Sequence, residues 1–165
     1  GGVPSCDTPV APNDQYRLTM SCPPDPERAR ELLAEAGYPD GIDVNIHVSS
    51  LDPSWPVLGV AFQEQAAAAG IRVTLDNAAA DGYWSNVWMK KPAFATAWGA
   101  RPADQVLNEA FHSSAKWNES HYKDPKFDRL CRNYNINFET VEQQAITKSS
   151  LTAKFRCHKL YVHTI

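Results

Sequence analysis

The sequence predicts an α/β fold with a β-α-β-α-β core, and three adjacent segments carry that prediction. Residues 42–48 and 71–76 alternate apolar and polar side chains, and residues 53–69 between them carry an apolar stripe. Alternation with a period of two is typical of a strand with one covered face, whereas the stripe has the period of a helix. Such a unit places its two strands parallel, with a right-handed crossover.

A further helix is predicted before this unit, over residues 26–36. Asp25 provides an acidic N-cap, and Pro26 occupies the first helical position. Apolar residues recur at i, i+3, i+4 and i+7, and Gly37 supplies a left-handed C-terminal position. The stripe of this helix consists of Ala29, Leu32, Leu33 and Ala36. The stripe of the helix at residues 53–69 consists of Leu58, Ala61, Phe62, Ala66 and Ala69.

The third helix and third strand complete the predicted core. Asp81 is expected to cap a helix that runs to about residue 91, with Trp84, Val87 and Trp88 on one side. Pro92 ends this helix, and residues 93–98 form the third strand.

The second half of the chain is predicted to be less regular. A short helix is expected over residues 104–111, followed by an irregular polar stretch over 113–121. Asp124 and Pro125 then repeat the cap-and-proline start, with Phe127, Leu130 and Cys131 on the buried side. From residue 133 polar residues interrupt the apolar period, apart from an expected helix at 139–146 and a strand at 160–162. We therefore predict a domain over residues 1–132 and an atypical tail over residues 133–165.

Composition narrows the classes of function. Sixteen basic and nineteen acidic residues give a formal charge of −3 without a basic cluster, so no nucleic-acid partner is expected. No run approaches the roughly 18 apolar residues of a transmembrane helix, and no signal-peptide pattern occurs. The five histidines lack metal-ligand spacing, and neither a metal nor a cofactor is expected. Cys6 and Cys22 flank a proline-rich lead-in and either close a disulfide loop or, like the other two cysteines, remain free thiols.

The predicted ligand-binding stretch follows the third strand. Trp98, Gly99 and Arg101 stand where the chain leaves the sheet, and ligands of open α/β sheets bind outside the carboxyl ends of strands. Trp98 offers a stacking face, Arg101 a cation, and the backbone at Gly99 a close approach. The alternative is that Trp98 caps the core and Arg101 is solvated. Four weaker ligand-binding candidates are Ser49, Ser50, Trp117 and Asn118, for which loop solvation or core packing is the competing explanation.

Four motifs resemble one known family in the same order and with the same spacing. They are DPERARELLAEAGYPDG at 25–41, FQEQAAAAGIRV at 62–73, WGARPAD at 98–104 and YKDPKFDRL at 122–130. They are similar to motifs of the peptide/nickel (dipeptide and oligopeptide) solute-binding proteins of ABC importers, the bacterial extracellular solute-binding protein family 5. The resemblance covers residues 25–132 and identifies the chain as a carboxyl-terminal portion of such a protein.

The resemblance implies one lobe of a periplasmic-binding-protein-like (class II) fold, which closes on its solute by hinge motion. It also implies a periplasmic or cell-surface location, a membrane permease as partner, a peptide or small-molecule solute, and a missing amino-terminal lobe. The protein is then not an enzyme but a binding component.

Two departures from the family pattern matter. Peptide-binding members carry an Asp where this sequence has Arg101, and the reversed charge is expected to favour an anionic or neutral polar group on the solute. Asp104 matches a later Asp of the motif and is expected to form a cap or turn bond. The tail does not resemble the family, and is either a divergent end or a foreign reading frame.

Two other classes of function compete with solute binding. A small α/β hydrolase or transferase is the first, although no GxSxG, P-loop, dinucleotide or HExxH motif occurs. An interaction module built on exposed Trp55, Trp84 and Trp88 is the second, and core packing explains those residues equally well.

Overall fold

The chain divides into two compact units. The computed structural model describes residues 8–11, 13–14, 17, 21–99, 101–136 and 163–164. The α/β unit comprises Cys22–Thr96 with Thr164, and the helical unit comprises Gly1–Ser21, Ala97–His163 and Ile165. Along the chain the elements are α1 (Pro26–Glu35), β1 (Ile42–Ser49), α2 (Ser54–Ala67), β2 (Ile71–Ala78), α3 (Tyr83–Asn86), β3 (Thr96–Ala97), α4 (Ala103–Val106), a π-helix (Leu107–Phe111), α5 (Pro125–Ile136) and β4 (His163–Thr164).

The predicted strand-helix-strand unit is confirmed. β1 and β2 are parallel, in a register that runs from Ile42 opposite Ile71 to Ser49 opposite Ala78, and α2 connects and covers them. The helix packs closely because Gly59 has no side chain: a Cβ there would lie 3.1 Å from Cδ2 of Leu75. The buried stripe of α2 contains Trp55, Gly59 and Ala66. The predicted stripe contained only the last of these three.

β1 is the central strand of the α/β unit. His47 forms a parallel bridge with Phe94, its N–H donates to the Ala93 carbonyl at 3.1 Å, and its carbonyl accepts from the Ala95 N–H at 2.8 Å. The residues at the carboxyl end of β1, from Ile46 to Ser49, are all buried, although the alternating pattern predicted one covered face. A central parallel strand has neighbours along both edges and is normally covered on both faces, which accounts for the difference.

The third strand is shorter than predicted. In the predicted span 93–98, Phe94 forms only the single bridge to β1, and regular strand structure is confined to β3, which pairs with β4. After Ala95 the pairing partner changes from β1 to β4.

The third helix is also shorter than predicted, with one turn in α3 in place of residues 81–91. Gly82, at a left-handed φ of 80°, is the N-cap, and Asp81 does not cap the helix. Met89 has a φ of 59°, which a right-handed helix does not accommodate. Tyr83 is buried, and its hydroxyl donates to the carbonyls of His47 and Ala95. These two bonds hold α3 against the point where β1 meets the segment around Phe94.

The predicted cap of α1 is confirmed, because Oδ1 of Asp25 accepts from the Arg28 N–H at 2.8 Å. Its predicted apolar stripe is only partly covered, because Ala29 and Leu33 are half-buried and Leu32 and Ala36 are exposed. No residue of α1 is buried, and Leu32 is 44% exposed. The Arg30 guanidinium nevertheless ties the helix to the end of α2, since it donates to the Ala68 carbonyl.

The helical unit has its own core. Its buried side chains are Val106, Leu107, Ala110, Phe111, Phe127 and Cys131. The α5 start is confirmed: Oδ1 of Asp124 accepts from the N–H groups of Lys126 and Phe127. The sequence predicts a cap or turn bond for Asp104. At the start of α4 the capping oxygen is Oδ2 of Asp14, which accepts from the Ala103 N–H.

Two of the four cysteines lie in the described part of the chain. Cys22 is disulfide-bonded, and Cys131 is free and buried, which raises the pKa of its thiol to about 12. The predicted partner Cys6 lies outside the described residues, as do the predicted helix at 139–146 and strand at 160–162. α5 continues to Ile136, past the predicted boundary of the tail at residue 133.

Replacing Gly41 by Ala should destabilise the chain by about 3 kcal/mol or more, because L-residues avoid its φ of 82° and a Cβ would lie 2.0 Å from the Gly70 carbonyl oxygen. Urea unfolding followed by circular dichroism measures the loss. Gly37→Ala is the matched control, since φ is 92° there but nothing lies within 4 Å of the added Cβ. A cost of about 1 kcal/mol is expected for the control. Equal losses in the two variants would contradict the steric argument at Gly41.

The Asp124 cap should make stability depend on acid pH. The Tyr122 hydroxyl, followed by the backbone N–H groups of Lys126 and Phe127, lowers the pKa of Asp124 below its ordinary 3.8. A carboxyl group with a lowered folded-state pKa adds stability above its unfolded pKa, and this contribution is lost as the pH falls through the folded value. The melting temperature should therefore fall less below pH 4 in Asp124→Asn, which keeps a capping oxygen, than in the wild type. An equal fall in the melting temperatures of the wild type and Asp124→Asn below pH 4 would show that the Asp124 carboxylate contributes nothing to the pH dependence of stability.

Candidate functional site

The predicted Trp98 stretch lies in a polar and aromatic cluster of the helical unit. We call Trp98, Arg101, Glu109, Trp117 and Glu119 the Trp98 cluster. Trp98 directly follows β3, and Arg101 lies just before α4. Glu109 belongs to the π-helix, while Trp117 and Glu119 lie in the turns that precede α5. The cluster therefore combines three stretches of chain, of which the sequence predicted two.

The Trp98 indole is held on several sides. The side chain is half-buried and packs against the core of the helical unit. Its Nε1 donates to Oε1 of Glu119 at 3.3 Å, and its ring meets that of Trp117 edge to face at a centroid distance of 5.8 Å. Glu119 is 2% exposed, so the acceptor is fixed as well. These contacts orient the indole, since edge-to-face packing and a hydrogen bond each restrict its rotation.

The Arg101 guanidinium lies over this indole. Its central carbon is 4.9 Å from the Trp98 ring centroid, within the range of a cation–π contact. Nη1 donates to the Gly99 carbonyl at 3.1 Å, and Nε lies 3.3 Å from Oε2 of Glu109. A guanidinium has five N–H groups. Within the described part of the chain, the bond from Nη1 to Gly99 is its one hydrogen bond, and the contact of Nε with Glu109 is an ion pair. The predicted indole and guanidinium are thus adjacent, but the cation already has a carboxylate partner.

Glu109 is placed by an unusual turn. After α4 the chain continues as a π-helix, in which the His112 N–H donates to the Leu107 carbonyl at 3.0 Å. π-helical turns are rare and frequently occur at functional sites. Leu107 and Phe111 turn into the core, and Glu109 remains half-buried beside Arg101. The Gln105 side chain, one turn earlier, donates to Oε1 of Glu109 at 2.9 Å.

The remaining predicted binding residues lie in different surroundings. Gly99 is exposed, and a Cβ there would meet only the Arg101 side chain at 3.9 Å, so space alone does not require a glycine. Ser49 is fully buried, and its hydroxyl accepts from the Leu51 N–H, so in this chain it does not present a group to a solute. Ser50 is exposed. Both serines belong to the α/β unit, and Trp98, Gly99, Arg101, Trp117 and Asn118 belong to the helical unit.

Asn118 supports the loop through all of its polar atoms. It is 4% exposed, and its Nδ2 donates to the carbonyls of Tyr122 and His112 at 2.7 and 3.3 Å. Its Oδ1 accepts from the Ser120 hydroxyl at 2.7 Å. The amide is therefore engaged within the loop, and the structure gives Asn118 a supporting position behind Trp117.

Sequence reasoning missed Glu109 and Glu119. The only signal for Glu109 was its helical spacing of four from Gln105, a pattern found on many exposed helix faces. Glu119 follows Trp117 in an irregular stretch that has no period to indicate which side chains turn inward. Both were found only because the fold brings them to Trp98 and Arg101.

The described residues show neither a metal site nor a membrane span. No group of three or more His, Cys, Asp or Glu side chains in that part of the chain is arranged to hold a metal ion. Within the same residues, no helix combines the length and the apolar character that crossing a bilayer requires.

Comparison with known proteins identifies the family. Residues 2–118 match the family described as bacterial extracellular solute-binding proteins, family 5 Middle. The chain belongs to this family. The resemblance drawn from the four motifs is confirmed, and all seven predicted binding residues lie within the matched region. The description also gives the general location of the family, which is extracellular.

Individual relatives agree with this assignment. The glutathione-binding protein GsiB of Pectobacterium atrosepticum is 29% identical over an alignment of 140 residues, gaps included. The alignment covers 78% of this chain and 27% of GsiB. The periplasmic binding protein DppA from Helicobacter pylori, solved in complex with the peptide STSA, is 26% identical with a TM-score of 0.68. That match covers 92% of this chain and 30% of DppA.

The fold is also found in more distant structures. AppA from Bacillus subtilis, solved with a nonapeptide, is 19% identical with a TM-score of 0.67 over 89% of this chain and 34% of AppA. The predicted class, an α/β chain with the fold of a periplasmic binding protein, is thereby confirmed. The chain spans about a third or less of the length of these relatives.

Replacing Asn118 by Ala should destabilise the chain by about 2 to 3 kcal/mol, because the three hydrogen bonds of a buried amide are lost. Thermal and urea unfolding measure this loss. Ser50→Ala is the control, since Ser50 is exposed and its substitution should change stability by less than about 0.5 kcal/mol. If Asn118→Ala were as stable as the control, the amide would not support the loop and would regain its place as a ligand-binding candidate.

Proposed function

We propose that this chain acts in a non-catalytic, solute-binding component of an ABC importer for peptides or related small polar solutes. Its family membership supports the general role. The observation that carries the proposal is the Trp98 cluster, in which a fixed indole lies beside a guanidinium that has N–H groups without a hydrogen-bond partner among the described residues. An oriented aromatic surface next to a few polar groups is the usual composition of a small-molecule site.

The binding chemistry follows from Arg101. Nη1 and Nε are held by Gly99 and Glu109, so the guanidinium is oriented before a solute arrives. Preorganised donors bind an acceptor without the entropic cost of ordering a long side chain. We therefore propose that an anionic or neutral polar acceptor group on the solute binds to the N–H groups that remain free. Trp98 and Trp117 would contact the apolar part of the same solute.

Two relatives support a peptide as the solute. GsiB is named for glutathione, and DppA was solved with the peptide STSA. Both ligands are short peptides, which combine neutral amide carbonyls with carboxylates. Each of these groups is an acceptor for Arg101.

The proposal includes a location and two partners. We propose that the protein works in the periplasm or at the cell surface, in agreement with the extracellular description of its family. The remainder of a two-lobed binding protein would enclose the solute, and a membrane permease would receive it. A relative of solved structure, the ABC transporter-associated periplasmic binding protein DppA, supports the permease.

The proposal predicts that short peptides raise the melting temperature of the chain, because a ligand that binds only the folded state stabilises it. Trp98→Ala and Arg101→Ala should abolish the shift, whereas Trp84→Ala, a 50% exposed indole of the α/β unit, should leave it unchanged. A thermal-shift screen up to concentrations of about 1 mM, followed by calorimetry, makes the measurement. GsiB with glutathione is the positive control.

Two results would contradict this proposal. Retention of full binding by both Trp98→Ala and Arg101→Ala would remove the Trp98 cluster from the site. Conversion of a stabilising peptide into products, detected by mass spectrometry, would favour the alternative of a small α/β hydrolase or transferase.

A further inference from the structure

We propose that Glu109 determines the charge specificity of the Trp98 cluster: it neutralises Arg101 and thereby favours neutral carbonyl groups over carboxylates on the solute. This inference rests on the proposed function and deepens it, because it decides between the anionic and the neutral solute groups that Arg101 alone would accept.

The Glu109 carboxylate lies beside the Arg101 guanidinium. Oε2 lies 3.3 Å from Nε of Arg101, and the two side chains are only 33% and 29% exposed. Oε2 itself is shielded from solvent and accepts no hydrogen bond within the described part of the chain. Its contact with Arg101 is thus one of charge rather than a well-aligned hydrogen bond. Partial burial strengthens such a contact, since solvent screens it less than at the surface.

The Glu109 carboxylate is held in this position by a hydrogen bond and by its own turn. Oε1 is held by the Gln105 side chain at 2.9 Å, and Glu109 belongs to a π-helical turn whose neighbours Leu107, Ala110 and Phe111 are buried. A freely rotating side chain would swing aside when an anion arrived. Glu109 is anchored by its own turn and by Gln105, so its charge stays beside Arg101.

A solute group that binds Arg101 also lies close to the negative charge of Glu109. A solute carboxylate that binds the free N–H groups is attracted by the guanidinium and repelled by Glu109, so the two effects largely cancel. A neutral carbonyl oxygen accepts the same hydrogen bonds without that repulsion. Specificity often depends on such a repulsive element placed against the wrong ligand. Glu109 supplies this element at the Trp98 cluster.

The test uses the complete 165-residue chain and two probes of the same shape, acetate and acetamide. Both are titrated while the Nε–H signal of Arg101 is followed by nuclear magnetic resonance, with Arg101→Lys used for its assignment. In Glu109→Gln the affinity for acetate should rise by about tenfold and that for acetamide by less than about twofold. Gln keeps an oxygen that accepts from Gln105, so the variant preserves the local geometry.

Matched variants separate the role of Glu109 from a general effect of charge. Glu64→Gln removes the same charge from an exposed position on α2 and should leave both affinities unchanged. Glu109→Asp keeps the charge and should stay close to the wild type. Glu109→Met, which has a similar length and no charge, should reproduce the gain for acetate and serves as the second variant if Glu109→Gln does not fold.

Three outcomes would overturn the inference: unchanged acetate affinity in Glu109→Gln, an equal gain for acetate and acetamide, or no response of Arg101 to acetate in any variant. Failure of the proposed function is distinguishable from these outcomes. In that case no peptide stabilises the wild-type chain, while the ratio between acetate and acetamide still changes with the residue at position 109.

Discussion

The backbone of His47 is the constraint on which the α/β unit depends. Its N–H and carbonyl bond to Ala93 and Ala95, and the same carbonyl also accepts from the Tyr83 hydroxyl. His47 stands opposite Asp76 of β2, and its imidazole contacts that carboxylate at 3.0 Å. One residue thus joins β1 to both of its neighbours. Buried backbone groups need hydrogen-bond partners. At His47 these partners are Ala93 and Ala95, in the segment that precedes Trp98.

In the helical unit, polar side chains lie next to an apolar core. Phe127 and Cys131 are buried to 1% exposure, and Trp98 packs against the same core with its Nε1 turned to Glu119. An aromatic side chain with a polar tip suits such a boundary, because its ring can be buried while its N–H is satisfied. Arg101 then lies on the indole, with Glu109 beside it. The cluster combines a rigid apolar surface with a compensated charge.

Family membership and local geometry contribute different parts of the functional conclusion. The family establishes the class, a bacterial extracellular solute-binding protein. The geometry suggests how this chain differs from other members. Where the resemblance leads one to expect Asp, Arg101 reverses a charge, and Glu109 restores an acidic group nearby. The proposed preference for neutral carbonyl groups follows from that pair and not from Arg101 alone.

The sequence by itself determined the features that depend on neighbours along the chain. The caps at Asp25 and Asp124, the parallel unit built from β1, α2 and β2, and the family motifs were all predictable, because period and capping are local properties. Only the tertiary structure decided which residues contact one another across large separations. It replaced Asp104 by Asp14 as the cap of α4, shortened the helix and strand around Met89 and Phe94, and paired Arg101 with Glu109. Side-chain partners of this kind depend on where segments distant in the sequence pack against one another. The periodicity of the sequence does not indicate that packing.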